Sequence, residues 1–412
     1  MTSSHPLPPP PHTPPAPGRI AAVMDAYLPG RLAGGPVTTL ANMTAALSGE
    51  LDFLVITRNK DIDGQVYADL TPNTLIQTPH SHNLYLDDAH FTAAHIVQRA
   101  LDLGAQYLYL NSFFSPTVIR LLLYLRRTRP PLKVVLAPRG EFSPGALQLK
   151  RAKKQLYLTF FRRLRLDRVV DVFQASAFLE ECDIRRQLGP VHVQIAPDIP
   201  DAVDDTRAPR FTRGAVPRLV FLSRITPMKN LLYLLKLLAQ WPTPLALDVY
   251  GPLEDRAYWE ACRAAMRHLP EHVQVTYRGV VDHAEVHTVF GQYDGFLFPT
   301  QGENFGHVIL EALGAGCPVV LSDQTPWQDL DAEGVGWVCD LHHPEQFLRA
   351  LEALLATPDD ALQARRDRCV AYARRTAHDP LVRASNLHLF PHALHRPTTE
   401  LTTLQEEATC KI

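Results

Sequence analysis

The chain has 412 residues, a formal net charge of −2, 46% hydrophobic residues and 20% charged residues. That length accommodates two domains of roughly 150–200 residues, and the near-neutral charge argues against a protein built around nucleic-acid phosphates. No run of about 18 apolar residues occurs and no basic segment leads into an apolar one at the start, so neither a membrane span nor a secretory signal is expected.

Eight of the first 17 residues are proline. Proline removes the backbone donor and fixes φ, so residues 1–18 are expected to form a disordered tail. Short apolar runs then alternate with helix-length amphipathic segments. Strands are predicted at 20–24, 51–56, 107–110, 134–137, 169–173 and 191–195. Helices are predicted at 38–47, 118–127, 147–164 and 178–188. Strand–helix alternation of this kind implies a parallel sheet covered on both faces.

Residues 198–216 are rich in Pro, Asp and Arg, lack periodicity and read as a linker. The alternation restarts beyond them. Strands are predicted at 219–222, 245–250, 273–277, 295–298, 319–321 and 336–338. Helices are predicted at 230–238, 258–268, 284–290, 306–315, 344–355, 360–374 and 379–387. The expected organisation is α/β: a tail (1–18), a first doubly wound domain (19–205), a second (206–390) and a C-terminal tail (391–412). Ligands of such sheets sit beyond the carboxyl ends of the strands. Two sheets facing each other therefore place a site in the cleft between the domains.

Six cysteines (Cys182, Cys262, Cys317, Cys339, Cys369 and Cys410) form no C-x-x-C pair. They read as reduced thiols of a cytosolic protein rather than metal ligands.

Several predicted strand ends carry chemistry. After the first strand comes Gly30-Arg-Leu-Ala-Gly34-Gly35-Pro36. Paired glycines at a strand-to-helix turn let an anion approach the backbone, although any tight turn also uses glycine. The dinucleotide pattern G-x-G-x-x-G is absent. Ala137-Pro-Arg139-Gly140-Glu141-Phe-Ser143 places Arg139 and Glu141 on a rigid loop that either lines the cleft or caps a sheet edge. From Lys150 to Arg168 eight cations face one acid, Asp167. Such a segment suits an anionic membrane surface or, equally, a solvated helix face.

In the second half, Ser223-Arg224-Ile-Thr-Pro227-Met-Lys229-Asn230 sets two cations around a turn that opens a helix. Charge and position suit a diphosphate. The densest constellation is Thr300-Gln-Gly-Glu303-Asn304-Phe305-Gly306-His307, continuing to Glu311. Backbone N–H groups at the opening of a helix have no intrahelical acceptor and can bind ligand oxygens. A carboxylate inside the helix suits a vicinal diol such as a ribose. His283 and His287 have i, i+4 metal-like spacing, but no third ligand is near them in sequence, and no metal site is assigned.

These motifs resemble the retaining glycosyltransferases of family 4, over roughly residues 19–390. The resemblance is carried by Ser223–Asn230, Val249-Tyr-Gly251, Tyr277-Arg-Gly279 and the run from Pro299 to Glu311. Ser322-Asp-Gln-Thr-Pro-Trp327 and the loop after Ala137 look like a bacterial polysaccharide-assembly subgroup. The family implies the GT-B architecture, two Rossmann-like domains facing across a cleft. It implies a nucleotide-diphosphate sugar as donor, no cofactor and no metal. Glu303, Arg224 and Lys229 would be catalytic; Gly34, Gly35, Asn304, Phe305, Gly306 and Glu311 would bind the donor; Arg139 and Glu141 would face the acceptor or cleft.

Expected partners are a saccharide acceptor, lipid-linked in the subgroup, and an anionic membrane at the cytoplasmic face, with no nucleic acid. Many relatives carry histidine where Arg139 and Gln174 stand. That departure keeps a second reading open, a nucleotide-sugar-binding protein of the same fold with altered catalysis. A nucleotide-dependent oxidoreductase is the rival enzyme class, and it lacks its fingerprint here.

Overall fold

The computed structural model describes residues 18–30, 34–148, 150–201, 208, 210–391 and 393. The expected proline-rich tail lies outside the described residues except for Gly18. So do residues 202–207 of the linker and most of the expected C-terminal tail.

The first half contains strands β1 (Arg19–Val23), β2 (Asp52–Arg58), β3 (Leu75–Gln77), β4 (His82–Leu86), β5 (Ala105–Asn111), β6 (Lys133–Ala137), β7 (Val172–Ala175) and β8 (Val193–Ile195). Its helices are α1 (Gly35–Leu47), α2 (Ala93–Asp102), α3 (Pro116–Thr128), α4 (Pro144–Gln148), α5 (Arg151–Arg163) and α6 (Phe178–Leu188). The strands form one sheet in the order β3-β4-β2-β1-β5-β6-β7-β8. All neighbours are parallel except the antiparallel β3–β4 edge.

The second half contains β9 (Arg218–Leu222), β10 (Leu245–Tyr250), β11 (Val273–Gly279), β12 (Gly295–Phe298), β13 (Val319–Ser322) and β14 (Gly336–Cys339). Between and after them run α7 (Leu231–Leu238), α8 (Arg256–Met266), α9 (His283–Phe290), α10 (His307–Gly314), α11 (Leu330–Glu333), α12 (Pro344–Leu355), α13 (Asp359–Ala377) and α14 (Pro380–His388). This sheet is wholly parallel, in the order β11-β10-β9-β12-β13-β14.

Both sheets reverse direction beside their first strand. The crossovers run one way from β1 to β2 and then return to β5; those from β9 run to β10 and return to β12. The crevice outside such a switch point is where open α/β sheets bind ligands. The loops leaving β1, β9 and β12 are the glycine, cation and Glu303 loops singled out above.

Alternation along the strands divides the first core in two. Ala21, Val23, Leu54 and Ile56 face one layer, while Ile20, Ala22, Phe53 and Val55 face the other. That second layer is covered by α1 and by residues from the far end of the chain, Leu387, Leu389, Phe390 and Ala393. Tyr107 meets the Phe390 ring edge-on, with 5.4 Å between centroids. Asn386 donates to Pro197 O at 2.7 Å, and Gly18 N donates to Ala393 O at 3.2 Å. The expected boundary at 390 placed this last helix with the second domain. It packs on the first instead, because its apolar stripe fills the face that α1 alone leaves open.

Three first-half elements were absent from the expected pattern: β3, β4 and α2. In β4, Asn83 is buried and accepts from Ser81 Oγ at 2.8 Å, so a polar residue occupies a core position. The expected helix at 147–164 is two helices, separated where Lys150 adopts left-handed backbone (φ 53°). The five cysteines among the described residues are free thiols, four of them buried.

Candidate donor site between the two domains

The loop from β12 into α10 is fastened by several groups. Gln301 N donates to Met228 O at 2.8 Å, and Glu303 N donates to Gln324 O at 3.0 Å. Ser322 Oγ donates to Thr300 O at 2.6 Å, and Trp327 Nε1 donates to Phe305 O at 2.5 Å. Gly306 then takes left-handed backbone (φ 84°) and caps α10 without a side-chain hydrogen bond. An added Cβ there would meet Ile309 Cδ1 at 2.7 Å. The left-handed backbone favours glycine, whereas the Ile309 side chain could turn aside; the opening amides of α10 keep their capacity for a ligand.

Helix α1 begins in the same way. Gly34 is its cap, with φ 68° and ψ −139°, and no side chain caps it. Among the described residues, space at Gly34 is open to 4 Å, and at Gly35 the nearest atom is His307 Cδ2 at 4.0 Å. The N-termini of α1 and α10, one from each domain, therefore open onto one place. Each carries roughly half a positive charge, so the pair forms an anion site without any side chain.

Lys229 ends a short 3-10 turn after β9 and pairs with Glu303. Their side chains retain only 12% and 11% of their exposure. Lys229 Nζ also lies 5.6 Å from the centre of the Phe298 ring. Arg224 is placed differently: its side chain is 46% exposed and its partner is Glu254, at 2.9 Å. The two cations expected to act together have separate partners, Lys229 the enclosed Glu303 and Arg224 the exposed Glu254.

Asn304 joins the domains through its side chain. It accepts from Ser176 Oγ at 2.7 Å and donates to Asp198 Oδ2 at 3.4 Å. Phe305 lies against the His307 and Trp327 rings. His307 Nε2 is 2.9 Å from Thr39 Oγ1 of α1, and burial holds its imidazole below the ordinary value.

Arg139 is buried. Its guanidinium pairs with Asp198, contacts Asn111 Oδ1 at 2.8 and 3.0 Å, and donates to Tyr109 Oη at 2.6 Å. Glu141 accepts from Ser112 Oγ and from the amides of Phe113 and Phe114, all at 2.6–3.0 Å. Both residues brace first-domain loops, and in this state neither presents a free polar group to an acceptor.

Asp198, Thr39, Ser176 and Tyr109 were not singled out from sequence. Asp198 is the central one: it also accepts from Thr39 Oγ1 at 3.1 Å, so α1, the Arg139 loop and the Glu303 loop all meet it. Its signal was Ala196-Pro-Asp-Ile-Pro200, another polar residue just beyond a strand. Glu311 lies in the second turn of α10, half-buried, and burial pushes its carboxyl above the ordinary value. His283 Nε2 stands 3.5 Å from Glu311 Oε1 and 3.4 Å from Asp201 Oδ2. His287 is elsewhere engaged, 3.1 Å from Gly314 O.

The two facing sheets that carry these loops form an architecture that known proteins share. Residues 204–376 match the family of Glycosyl transferases group 1. The chain has the GT-B glycosyltransferase fold. Sucrose-phosphate synthase from Thermosynechococcus elongatus superposes with a TM-score of 0.64 at 16% identity, covering 91% of this chain and 99% of that one. An α,α-trehalose-phosphate synthase from Burkholderia xenovorans, in complex with glucose-6-phosphate, gives 0.66 at 12% identity, with 91% and 100% covered. Anabaena HepE, in complex with UDP and glucose, gives 0.65 at 14% identity, with 90% and 98% covered. No curated protein matches the chain.

Proposed function

We propose that this chain transfers a sugar from a nucleotide-diphosphate donor to an acceptor hydroxyl with retention at the anomeric carbon. The observation that carries this reading is the convergence of the α1 and α10 N-termini beside Lys229 and Glu303. Departure of the nucleoside diphosphate breaks the anomeric C–O bond and concentrates negative charge on the leaving phosphate. Fixed dipoles and a largely enclosed ammonium stabilise that charge without reorganising at the moment of reaction. Arg224 adds a second cation from the rim. On this reading no metal is needed at the phosphates.

The backbone of Asn304–Gly306 holds donor-sugar hydroxyls, Glu303 lies beside the sugar, and Glu311 accepts from the ribose diol. The acceptor hydroxyl enters on the face the diphosphate leaves, and its proton passes to a leaving-phosphate oxygen. Closure of the two domains excludes water and limits donor hydrolysis. The test is a panel of nucleotide sugars read by thermal shift and by slow release of the free sugar. One donor should both stabilise the protein and be hydrolysed, and Lys229→Ala should abolish the hydrolysis. Stabilisation by a nucleotide with no turnover of any donor supports the second reading, altered catalysis, which is favoured by the full engagement of Arg139.

The acceptor in this reading is a lipid-linked saccharide of exopolysaccharide, capsule or lipopolysaccharide assembly, met at the cytoplasmic membrane face. Among the described residues no helix is long and apolar enough to cross a membrane. Support for a peripheral contact comes from α5, where Leu156 and Phe160 are 73% and 42% exposed on the face that also carries Lys153 and Arg163. Apolar surface flanked by cations is the composition of an interfacial helix. Replacing Lys150, Arg151 and Lys153 by Gln should weaken sedimentation with phosphatidylglycerol vesicles. Unchanged binding counts against the contact.

A further inference from the structure

Asp201, His283 and Glu311 come from three separate elements: the start of the linker, the first turn of α9 and the second turn of α10. In sequence the histidine has no neighbouring ligand, and the fold supplies two. Each of the three residues offers a ligand atom, and these atoms all lie within 4.8 Å of one another.

The imidazole already pairs with both acids, and the separations are wide enough to seat an ion between them. Charge-assisted N–H···O contacts settle at about 2.7–2.9 Å. Here the His283 nitrogen stands 3.4 Å from one carboxylate oxygen and 3.5 Å from the other. Zinc bonds to nitrogen and oxygen are about 2.0–2.2 Å, which sets the edge of a tetrahedron at about 3.3–3.5 Å. The two His283 separations fall on that edge.

The donor set fits the same ion. One imidazole and two carboxylates neutralise a divalent charge, and the imidazole disfavours calcium and magnesium, which take oxygen ligands. Three protein ligands with one open position are the usual complement of an accessible zinc site. Asp201 and His283 are a little over 40% exposed, so the open position faces water. Glu311 is held firmly, because Ile309, Leu310, Ala312 and Leu313 around it on α10 are buried.

We propose that Asp201, His283 and Glu311 bind a divalent transition metal, zinc by preference, and that the bound ion excludes the donor nucleotide. The exclusion rests on the reading of Glu311 as the ribose carboxylate, since one carboxylate cannot serve the ion and the diol together. Metal binding itself does not rest on that reading. The ion is a brake and takes no part in the transfer.

The experiment uses untagged full-length protein freed of metal. Isothermal titration with zinc chloride should show one equivalent binding at micromolar concentration, weakened at least tenfold in His283→Ala and in Asp201→Asn. Cobalt(II) should give the strong visible absorption of a four-coordinate ion, absent in His283→Ala. Both variants should unfold at the temperature of the unaltered chain without metal. Zinc binding weaker than millimolar, or equal binding in well-folded His283→Ala, overturns the site.

Competition then separates the two parts. Saturating zinc should weaken UDP or GDP binding at least tenfold in the unaltered chain and leave it unchanged in His283→Ala. Tight zinc binding with unchanged nucleotide affinity overturns the exclusion while the metal site stands. If neither nucleotide binds metal-free protein, the donor reading fails and the exclusion with it, while the zinc titration still decides the site.

Discussion

Arg139 is paired with Asp198, and both side chains are almost wholly withdrawn from water. The same guanidinium donates to Tyr109 Oη at 2.6 Å, and Tyr109 donates to Gln174 Oε1 at 2.5 Å. Burial pushes the Tyr109 phenol up to about 12, so it remains protonated and can donate onward. Gln174 Nε2 closes the chain on Ala196 O at 2.8 Å. Arg139 and Gln174, the two positions where the resemblance calls for histidine, are therefore one physical unit joined by a phenol. Replacing either alone would leave the other, or Tyr109, short of a partner.

That unit yields a stability prediction. Removing one member of a buried ion pair strands the other charge and costs about 3–5 kcal/mol, whereas replacing both by apolar groups costs much less. Asp198→Leu and Arg139→Met should each lower unfolding stability by about that amount in urea titrations. The double variant should be more stable than the sum of the two losses implies. Additive losses would show that the pair is not coupled.

The second prediction separates the two cations. Loss of one preorganised group at a developing oxyanion costs about 10²–10³ in turnover. Lys229 is enclosed beside Glu303, while Arg224 is half exposed and paired with Glu254. At saturating donor, Lys229→Ala should lower kcat about 100-fold or more. Arg224→Ala should lower it about tenfold, since solvent screens an exposed charge. Equal small effects from both would remove Lys229 from its assigned place.

Much of this architecture was legible because apolar runs and helical periods alternate cleanly. The boundaries of β10, β12, α6 and α12 coincide with the spans read from sequence. The strands read poorly where polar residues are buried, as at Asn83 in β4. The loops that meet between the sheets were legible where glycine or charged residues sit just beyond a strand end, as at Gly34, Lys229 and Glu303. They were illegible where partners meet only in three dimensions. Nothing around Asp198 announces that Thr39, Arg139 and Asn304 all reach it. His283 has no third ligand near it in sequence, and both carboxylates beside it come from distant segments. The domain division failed at α14 for a similar reason: a helix stripe does not say which sheet it will cover.

Gly35 offers a way to separate fold from function. It is the first residue of α1, and its backbone is outside the left-handed region that Gly34 occupies. Among the described residues, an added Cβ there meets nothing nearer than His307 Cδ2 at 4.0 Å. Alanine in a helix is favoured over glycine by about 0.5–1 kcal/mol. Gly35→Ala should therefore leave Tm unchanged or slightly raised. The methyl nevertheless enters the space through which a diphosphate must approach the α1 amides, so donor KM should rise several-fold. A variant with unaltered KM would show that the α1 terminus does not meet the donor.

The last prediction concerns pH. Burial holds the His307 imidazole below its ordinary value of 6.5, and Thr39 Oγ1 lies 2.9 Å from its Nε2 across the domain junction. A base with a lowered folded-state value is protonated more readily when unfolded. Its contribution to stability is present above pH 6.5 and is lost as pH falls through the lowered value. Thermal unfolding should therefore show a loss of stability on acidification below pH 6.5, as the neutral histidine is forced to charge. His307→Gln, which cannot titrate but can still meet Thr39, should flatten that slope and leave the value at pH 8 nearly unchanged. If the slope between pH 6.5 and 5 is the same in both proteins, other groups carry it and His307 is not the titrating contact between α1 and α10.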